Sequence, residues 1–211
     1  MNSRNLLIFI SFIILSAADL KSQTTVGLIG GLNIQSISGD APQNASYGSK
    51  TGYMFGLSAE TNITKEIKIV LQPNYSVYRT IISYDIGRED PVDSMNVKMS
   101  YFRVPVLAKL EAFNGVTYFL SGLDFGFLQD SKIQDINKTS EEKDISESFE
   151  KFDLAAAFGV GVKFPVKRFV ISAEGRYSQS LFNLSKENFN SLPSRFRLSG
   201  FQFLTYVSYI L

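Results

Sequence analysis

The chain has 211 residues, of which 45% are hydrophobic and 19% are charged, and this length and composition predict a single domain. Its 21 Lys and Arg residues against 20 Asp and Glu residues give a net charge of +1, which argues against general nucleic-acid binding. Cys and His are both absent, so disulfides, thiolate metal sites, histidine zinc ligands and Ser-His catalysis are excluded.

The first 22 residues have the organisation of a signal peptide. A short basic start precedes an apolar run over residues 6–15, which is shorter than the about 20 residues that a membrane-spanning helix needs. Small residues suit cleavage after Ala18, and Ser22 offers a second cleavage position. We therefore expect an exported protein whose signal peptide covers residues 1–22.

After the signal peptide, apolar and polar residues alternate with the period of two that is typical of β-strands. In one stretch Phe119 and Phe125 lie on one face, whereas Asp124 lies on the other. Eight such stretches are predicted, at residues 25–35, 51–62, 66–80, 97–112, 116–128, 152–164, 168–181 and 195–211.

The connections between these stretches alternate between long and short. Long polar connections are predicted at 36–50, 81–96, 129–151 and 182–194, and short ones at 62–65, 114–115 and 165–167. Asn114-Gly115 predicts a two-residue hairpin, because both of its positions must adopt positive φ. The pattern predicts an all-β fold, an eight-stranded antiparallel up-and-down transmembrane β-barrel over residues 23–211, with both chain ends on the short-turn side.

Two kinds of eight-stranded barrel fit this alternation: a membrane barrel with an apolar outer face, and a secreted soluble lipocalin-like carrier with an apolar interior. The polar face of the strands carries five glycines, five acids and four bases: Gly56, Gly122, Gly126, Gly159, Gly161, Glu60, Glu111, Asp124, Asp153, Glu174, Arg103, Lys109, Lys163 and Arg176. Inside a narrow lumen such charges can pair, whereas facing lipid each costs about 2–4 kcal/mol near the midplane. The membrane barrel is therefore favoured over the carrier of an apolar ligand.

Two prolines fall within predicted strands. Proline lacks the N–H group that a strand donates to its neighbour, and a closed barrel has no edge strand to accommodate it. We therefore expect β-bulges near Pro73 and Pro105, the latter re-aiming Arg103 and Lys109.

No catalytic, cofactor-binding or metal-binding residue is predicted, and we expect a protein that is not an enzyme. The nearest carboxylate pair is Asp124 with Asp153, and the bases between them favour a structural ion-pair network over acid–base chemistry. The Gly-rich segment at 159–163 lacks the spacing and the strand-to-helix setting of a phosphate-binding loop. An eight-stranded barrel is also filled by its own side chains, so a diffusion pore is not expected.

Two of the long connections are acidic. The 129–151 connection holds seven acids and four lysines, and Asp85, Glu89, Asp90 and Asp93 against Arg88 give the second connection the same net charge of −3. Acidic loops can bind calcium or bridge lipopolysaccharide through divalent cations. Because no Asp-x-Asp-x-Asp spacing is present, solvated loops are the favoured interpretation.

Several motifs make this chain similar to a known family. They are Gly27-Leu28-Ile29-Gly30-Gly31-Leu32-Asn33, Tyr101-Phe102-Arg103-Val104-Pro105-Val106-Leu107-Ala108-Lys109, Phe152-Asp153, Phe158-Gly159-Val160-Gly161-Val162 and Glu174-Gly175-Arg176-Tyr177. With them, residues 24–211 resemble the PorT-like outer-membrane β-barrel family. The resemblance implies a small barrel of the Gram-negative outer membrane, and the member that names the family supports protein secretion.

These observations together predict the partners of the protein. We expect a monomer surrounded by outer-membrane lipids and lipopolysaccharide, with no nucleic-acid partner. Its loops or periplasmic rim are expected to contact other envelope macromolecules, with an accessory part in protein secretion as one role, because a rigid scaffold that displays loops binds through those loops.

Overall fold

A computed structural model of the protein describes residues 24–38, 45–84, 93–135, 142–186 and 196–211, so the predicted signal peptide lies outside the described residues. The strands are β1 (Thr25–Ser38), β2 (Ala45–Asn62), β3 (Ile67–Leu71), β4 (Asn74–Tyr84), β5 (Asp93–Ala112), β6 (Thr117–Asp135), β7 (Lys143–Asp144), β8 (Phe152–Val166), β9 (Phe169–Ser180) and β10 (Arg197–Ile210). Short 3₁₀ helices lie at Phe113–Gly115 and Ser146–Ser148. None of the helices in these ranges is long and apolar enough to cross a membrane.

Antiparallel pairing closes the strands into a ring. β1 pairs with β2 on one side and with β10 on the other, which joins the first described strand to the last. β3 and β4 follow one another in a single position between β2 and β5, and β6, β8 and β9 complete the circuit to β10. The two-residue β7 pairs only with β6 among the described strands. The prediction of an eight-stranded antiparallel up-and-down barrel is confirmed.

Several strands in the first two thirds of the chain are longer than predicted on the side of the long connections. β2 begins at Ala45 rather than 51, β5 begins at Asp93 rather than 97, and β6 continues to Asp135 rather than 128. The polar ends of these strands have weak apolar alternation, yet backbone hydrogen bonds to the neighbouring strand continue there without it. Part of the sequence assigned to loops is therefore sheet.

The predicted two-residue hairpin at Asn114-Gly115 is wrong. Ala112 pairs with Thr117, so four residues connect β5 to β6, and a 3₁₀ helix occupies three of them. Of the Asn-Gly pair, only the glycine has positive φ, at 78°, whereas the hairpin requires it at both positions. The two-residue connection is the one between β8 and β9, at 167–168.

The expected bulge at Pro105 is also wrong, because the β5–β6 ladder keeps one register from 101 to 112. The N–H of Gln72 donates to the carbonyl of Pro105 at 3.1 Å, and an antiparallel pair of this kind normally exchanges a second bond. The carbonyl of Gln72 instead accepts a hydrogen bond from the side-chain amide of Asn74 at 2.8 Å. A side-chain donor thus replaces the N–H that proline lacks.

Pro73 separates β3 from β4 without inserting a residue. The register against β2 and against β5 is the same immediately before and after Pro73, so the bulge expected at this position is absent. The β2–β4 ladder changes register only farther along, between Lys50 and Tyr53. Arg103 and Lys109 are both buried at inward positions of β5, which they reach through ordinary strand alternation. Neither side chain needs to be re-aimed.

The two faces of the barrel differ in the way that a membrane protein requires. Outward side chains are apolar and open: Phe119, Phe158 and Phe201 are 48%, 58% and 57% exposed. Inward side chains include charged groups that are almost completely buried, such as Asp153 at 0% and Arg176 at 1%. This is the reverse of a soluble carrier, and the lipocalin-like alternative is not favoured.

Candidate functional site

Ion-paired side chains lie in the interior of the barrel in three clusters. On the short-turn side, Glu111 of β5 binds two lysines, Lys68 of β3 at 2.7 Å and Lys163 of β8. Next to them Lys109 binds Glu60 at 2.8 Å. These residues form the first cluster, which links four strands, β2, β3, β5 and β8, through their side chains.

A second cluster occupies the middle of the lumen around Glu174. Its carboxylate accepts hydrogen bonds from the guanidinium of Arg176 at 2.8 Å and from the hydroxyls of Tyr206 at 2.8 Å and Tyr118 at 3.1 Å. Arg176 also donates to the side-chain oxygen of Gln72 at 2.7 Å. Each buried charge in this cluster therefore has both an ionic partner and neutral hydrogen-bond partners, as burial of charge requires.

A third cluster joins the two aspartates that the sequence singled out. Arg103 donates to Asp124 at 2.8 Å and to Asp153 at 2.9 Å, and all three side chains are at most 4% exposed. The guanidinium also lies against the rings of Tyr78 and Tyr101, with its carbon 5.7 Å and 5.4 Å from their centroids. One cation therefore holds both carboxylates, and the ion-pair network predicted around this pair is present.

Two lumen glycines make room for these clusters. A Cβ atom at Gly161 would lie 2.2 Å from the ring of Tyr118, and one at Gly126 would lie 3.0 Å from the guanidinium of Arg103. By contrast, nothing lies within 4 Å of a Cβ placed on the outward Gly175. The Gly-rich segment at 159–163 is accordingly strand β8 beside the lumen clusters and not a phosphate-binding loop.

On the side of the long connections, the lumen ends in an apolar cluster. It contains Ile37, Tyr78, Ile82, Val97, Met99, Tyr101, Ile145, Phe149, Leu184, Phe196 and Leu198. Phe149 and Phe196 are fully buried and meet edge to face with ring centroids 4.9 Å apart. We refer to these eleven residues as the apolar cap, since they close the barrel interior above the charged clusters.

The apolar cap is built partly by connections that the sequence marked only as acidic and polar. The N–H of Ile145 donates to Ser131 of β6 at 2.9 Å, and the N–H of Glu150 donates to Leu184 at 2.8 Å, so both segments are tied to the barrel or to each other by backbone bonds. Large apolar residues within these connections could have indicated their burial: Ile145 and Phe149 stand among polar residues, and Leu184 follows Leu181 and Phe182.

The acidic groups of the described connections are partly engaged. Hydrogen bonds from Ser146 hold the pKa of Asp144 below its usual range, and the carboxylate of Glu142 raises the pKa of Lys132. Within the described residues, no three acidic side chains are grouped so that they could hold a metal ion. The predicted acids at 85–90 lie outside the described residues.

All nine charged residues predicted for the interior do lie in these ion-pair clusters, and the sequence missed one partner. Lys68 of β3 completes the set as a fifth base, because its amine reaches Glu111. The missed neutral partners are Gln72, Tyr118 and Tyr206, which bind the Glu174–Arg176 pair. Their side chains alternate inward with the charged residues, so the period of two already placed them on the lumen face.

Comparison with known proteins agrees with this geometry. A family model described as the outer membrane protein beta-barrel domain matches residues 17–186. The chain belongs to this family. No curated protein sequence matches it significantly. The PorT-like resemblance is a finer assignment that the family match leaves as a prediction.

Several solved outer-membrane proteins are similar to this chain at low sequence identity. Outer membrane protein W of Escherichia coli has a TM-score of 0.50 and 13% identity, covering 90% of this chain and 98% of that one. Ail of Yersinia pestis has a TM-score of 0.45, 16% identity and coverage of 89% and 99%. OprG of Pseudomonas aeruginosa has a TM-score of 0.44, 10% identity and coverage of 90% and 97%. The family match and the closed ring of strands identify the protein as a β-barrel of the bacterial outer membrane.

Proposed function

We propose that the protein is a monomeric, non-enzymatic and non-conducting outer-membrane barrel, which acts through its loops or its periplasmic rim on other envelope macromolecules. The observation that carries the proposal is the state of the lumen. Two buried ion-pair clusters and a third, partly buried one occupy it, and the apolar cap lies across it on the side of the long connections. Within the described residues these side chains occupy the interior, so we assign binding to the surfaces at the two ends of the barrel.

The closed interior has a direct electrical consequence. When the full mature chain is inserted into planar bilayers, we expect no large, stable conductance steps, because a water-filled path would have to pass both the apolar cap and the clusters around Arg103 and Glu174. Stable open channels in most insertions would contradict the non-conducting part of the proposal. Insertion itself is verified by heat-modifiable gel mobility.

An accessory part in protein secretion is supported by the resemblance to PorT-like barrels. We expect that deletion of the gene traps secreted proteins in the periplasm and that the wild-type gene restores their release. A comparison of released and periplasmic proteins measures this effect. An unchanged distribution would rule out the secretion role and leave the outer surface as the place of function.

Matched variants separate the two ends of the barrel. K65S/E66S changes exposed residues in a short turn, whereas K143S/E147S changes exposed residues on the side of the long connections. Each variant removes one positive and one negative charge, so the net charge is the same in both. For secretion through the periplasmic rim we expect K65S/E66S to fail in complementation and K143S/E147S to succeed. The opposite result would assign the contact to the loops.

A further inference from the structure

Four basic side chains form one row across the outside of the barrel. Pairing places Lys50 of β2 opposite Arg79 of β4, Arg79 opposite Lys98 of β5, and Lys98 opposite Lys132 of β6. These residues are far apart in sequence, and only the strand register brings them into line. We refer to them as the cation row. With strands about 4.8 Å apart, the row is about 14 Å long.

The cation row lies where the membrane meets water. It is on the side of the long connections, which in outer-membrane barrels is the external side. Tyr53, Phe102 and Phe127 face outward on three of the same strands, three to five residues nearer the short turns. That separation is about 10–17 Å along a strand, so the row is located just beyond the apolar belt, at the level of lipid headgroups.

The arrangement is unfavourable for the isolated protein. Like charges directly opposite one another destabilise a pair of strands, and here three such pairs are consecutive. Among the described residues, Lys132 is the only member of the row that forms ion pairs with acidic side chains. Its amine lies 3.3 Å from Glu142 and 3.8 Å from Asp130. The amine of Lys50 donates to the neutral side chain of Asn96 at 2.6 Å.

The row also has a concave surface. A groove of about 230 Å³ runs along it, lined by all four basic residues and by Asn96 and Glu142. Arg79 is exposed at this groove, and Arg side chains present paired donors that suit phosphate oxygens. A phosphate in the groove would contact several cations at once and remove their mutual repulsion.

We propose that the cation row is a binding site for a phosphorylated lipid headgroup of the outer leaflet. The lipid's acyl chains would lie against the apolar belt below the row while its phosphate groups occupy the groove. This fits the position of the row better than a soluble anion, because only a membrane lipid supplies both parts. The proposal is independent of the secretion role and concerns a different surface from the loops and the periplasmic rim.

The test uses the full mature chain in a non-ionic detergent, with lipid binding measured by native mass spectrometry. The probes are lipid A with two phosphates, the same glycolipid without phosphates, and inorganic phosphate. The variant K50Q/R79Q/K98Q removes three charges of the row. The matched control K65Q/K167Q/R168Q removes three charges at the short-turn end, so both variants have the same net charge.

We expect the wild type and the control to bind the phosphorylated lipid, and the row variant to bind it roughly tenfold or more weakly. Loss of the phosphates from the lipid should produce a similar decrease, and salt should weaken binding. Equal binding by the row variant, or equal binding of the dephosphorylated lipid, would overturn the proposal. So would inorganic phosphate that binds as tightly as the lipid, since the site would then be one for a free anion.

Folding of each variant is checked by heat-modifiable gel mobility. If the triple variant does not fold, the exposed single substitution Arg79→Gln decides the question in the same assay. Its binding of the phosphorylated lipid should be several-fold weaker than that of Arg168→Gln at the opposite end. Equal affinity of these two single variants would also contradict the proposal.

Discussion

Removal of the Arg103 guanidinium should destabilise the barrel strongly. The arginine donates to Asp124 at 2.8 Å and to Asp153 at 2.9 Å, with side-chain exposures of 3%, 4% and 0% for the three residues. In Arg103→Met both carboxylates stay buried without their cation. Breaking a buried ion pair from one side costs about 3–5 kcal/mol, a large part of the about 5–15 kcal/mol that stabilises a typical domain.

Urea unfolding of the barrel from lipid vesicles measures this loss. The chain has no Trp, so far-ultraviolet circular dichroism and heat-modifiable gel mobility are the suitable signals. With a denaturant dependence of about 1–3 kcal/mol per molar urea, the midpoint should fall by at least about 1 M. An unchanged midpoint for Arg103→Met would refute the view that this cluster stabilises the fold.

A triple variant distinguishes unpaired charge from lost packing. R103M/D124N/D153N removes the cation together with both carboxylate charges, and replacement of a whole buried ion-pair group is often nearly neutral. We therefore expect it to regain at least about half of the stability lost in the single variant. A triple variant as unstable as Arg103→Met would show that the loss comes from the packing of the arginine side chain and not from its charge.

Three further predictions concern the outer face, the lumen glycines and the apolar cap. Phe125→Arg or Val160→Arg on the lipid face should impair insertion, at about 2–4 kcal/mol near the midplane, whereas the exposed Glu147→Arg should insert normally in the same gel assay. Gly161→Ala should lower stability to urea by about 1–3 kcal/mol, because its Cβ would lie 2.2 Å from the Tyr118 ring, while Gly175→Ala, with open space around its Cβ, should not. Phe149→Ala should lower the stability of the apolar cap by about 3–5 kcal/mol. Trypsin cleavage at Lys143 or Lys151 should therefore increase while the barrel stays folded. The lipid-facing Phe152→Ala is its control, and equal cleavage of the two variants would contradict a structural role for Phe149.

Much of the barrel could be predicted from local pattern. The period of two placed Asp124, Arg176 and their neighbours on one face and Phe119 and Phe158 on the other, and the structure confirms both faces. Strand ends were less predictable on the side of the long connections, since polar residues continue the backbone ladder there without an apolar signal.

Predictions from turn and proline preferences were wrong where pairing with a neighbouring strand determines the backbone conformation. The Asn-Gly signal at 114–115 specifies a tight hairpin only if the strands reach it, and the β5–β6 ladder ends at Ala112. Pro105 needs no bulge because Asn74, on another strand, donates to the carbonyl that proline leaves unpaired. Neither the end of the ladder nor the hydrogen bond from Asn74 can be predicted from the residues that flank the turn or the proline.

The strand period and the composition of the two faces are local properties, and they are sufficient to predict a membrane barrel with a charged interior. Which charges pair depends instead on contacts between strands that are distant in the chain. Arg103 holds Asp124 and Asp153 from two other strands, and Lys50, Arg79, Lys98 and Lys132 align across four. The reason is that the register between neighbouring strands depends on the closure of all eight strand positions into one barrel. The sequence of a single strand cannot predict this closure.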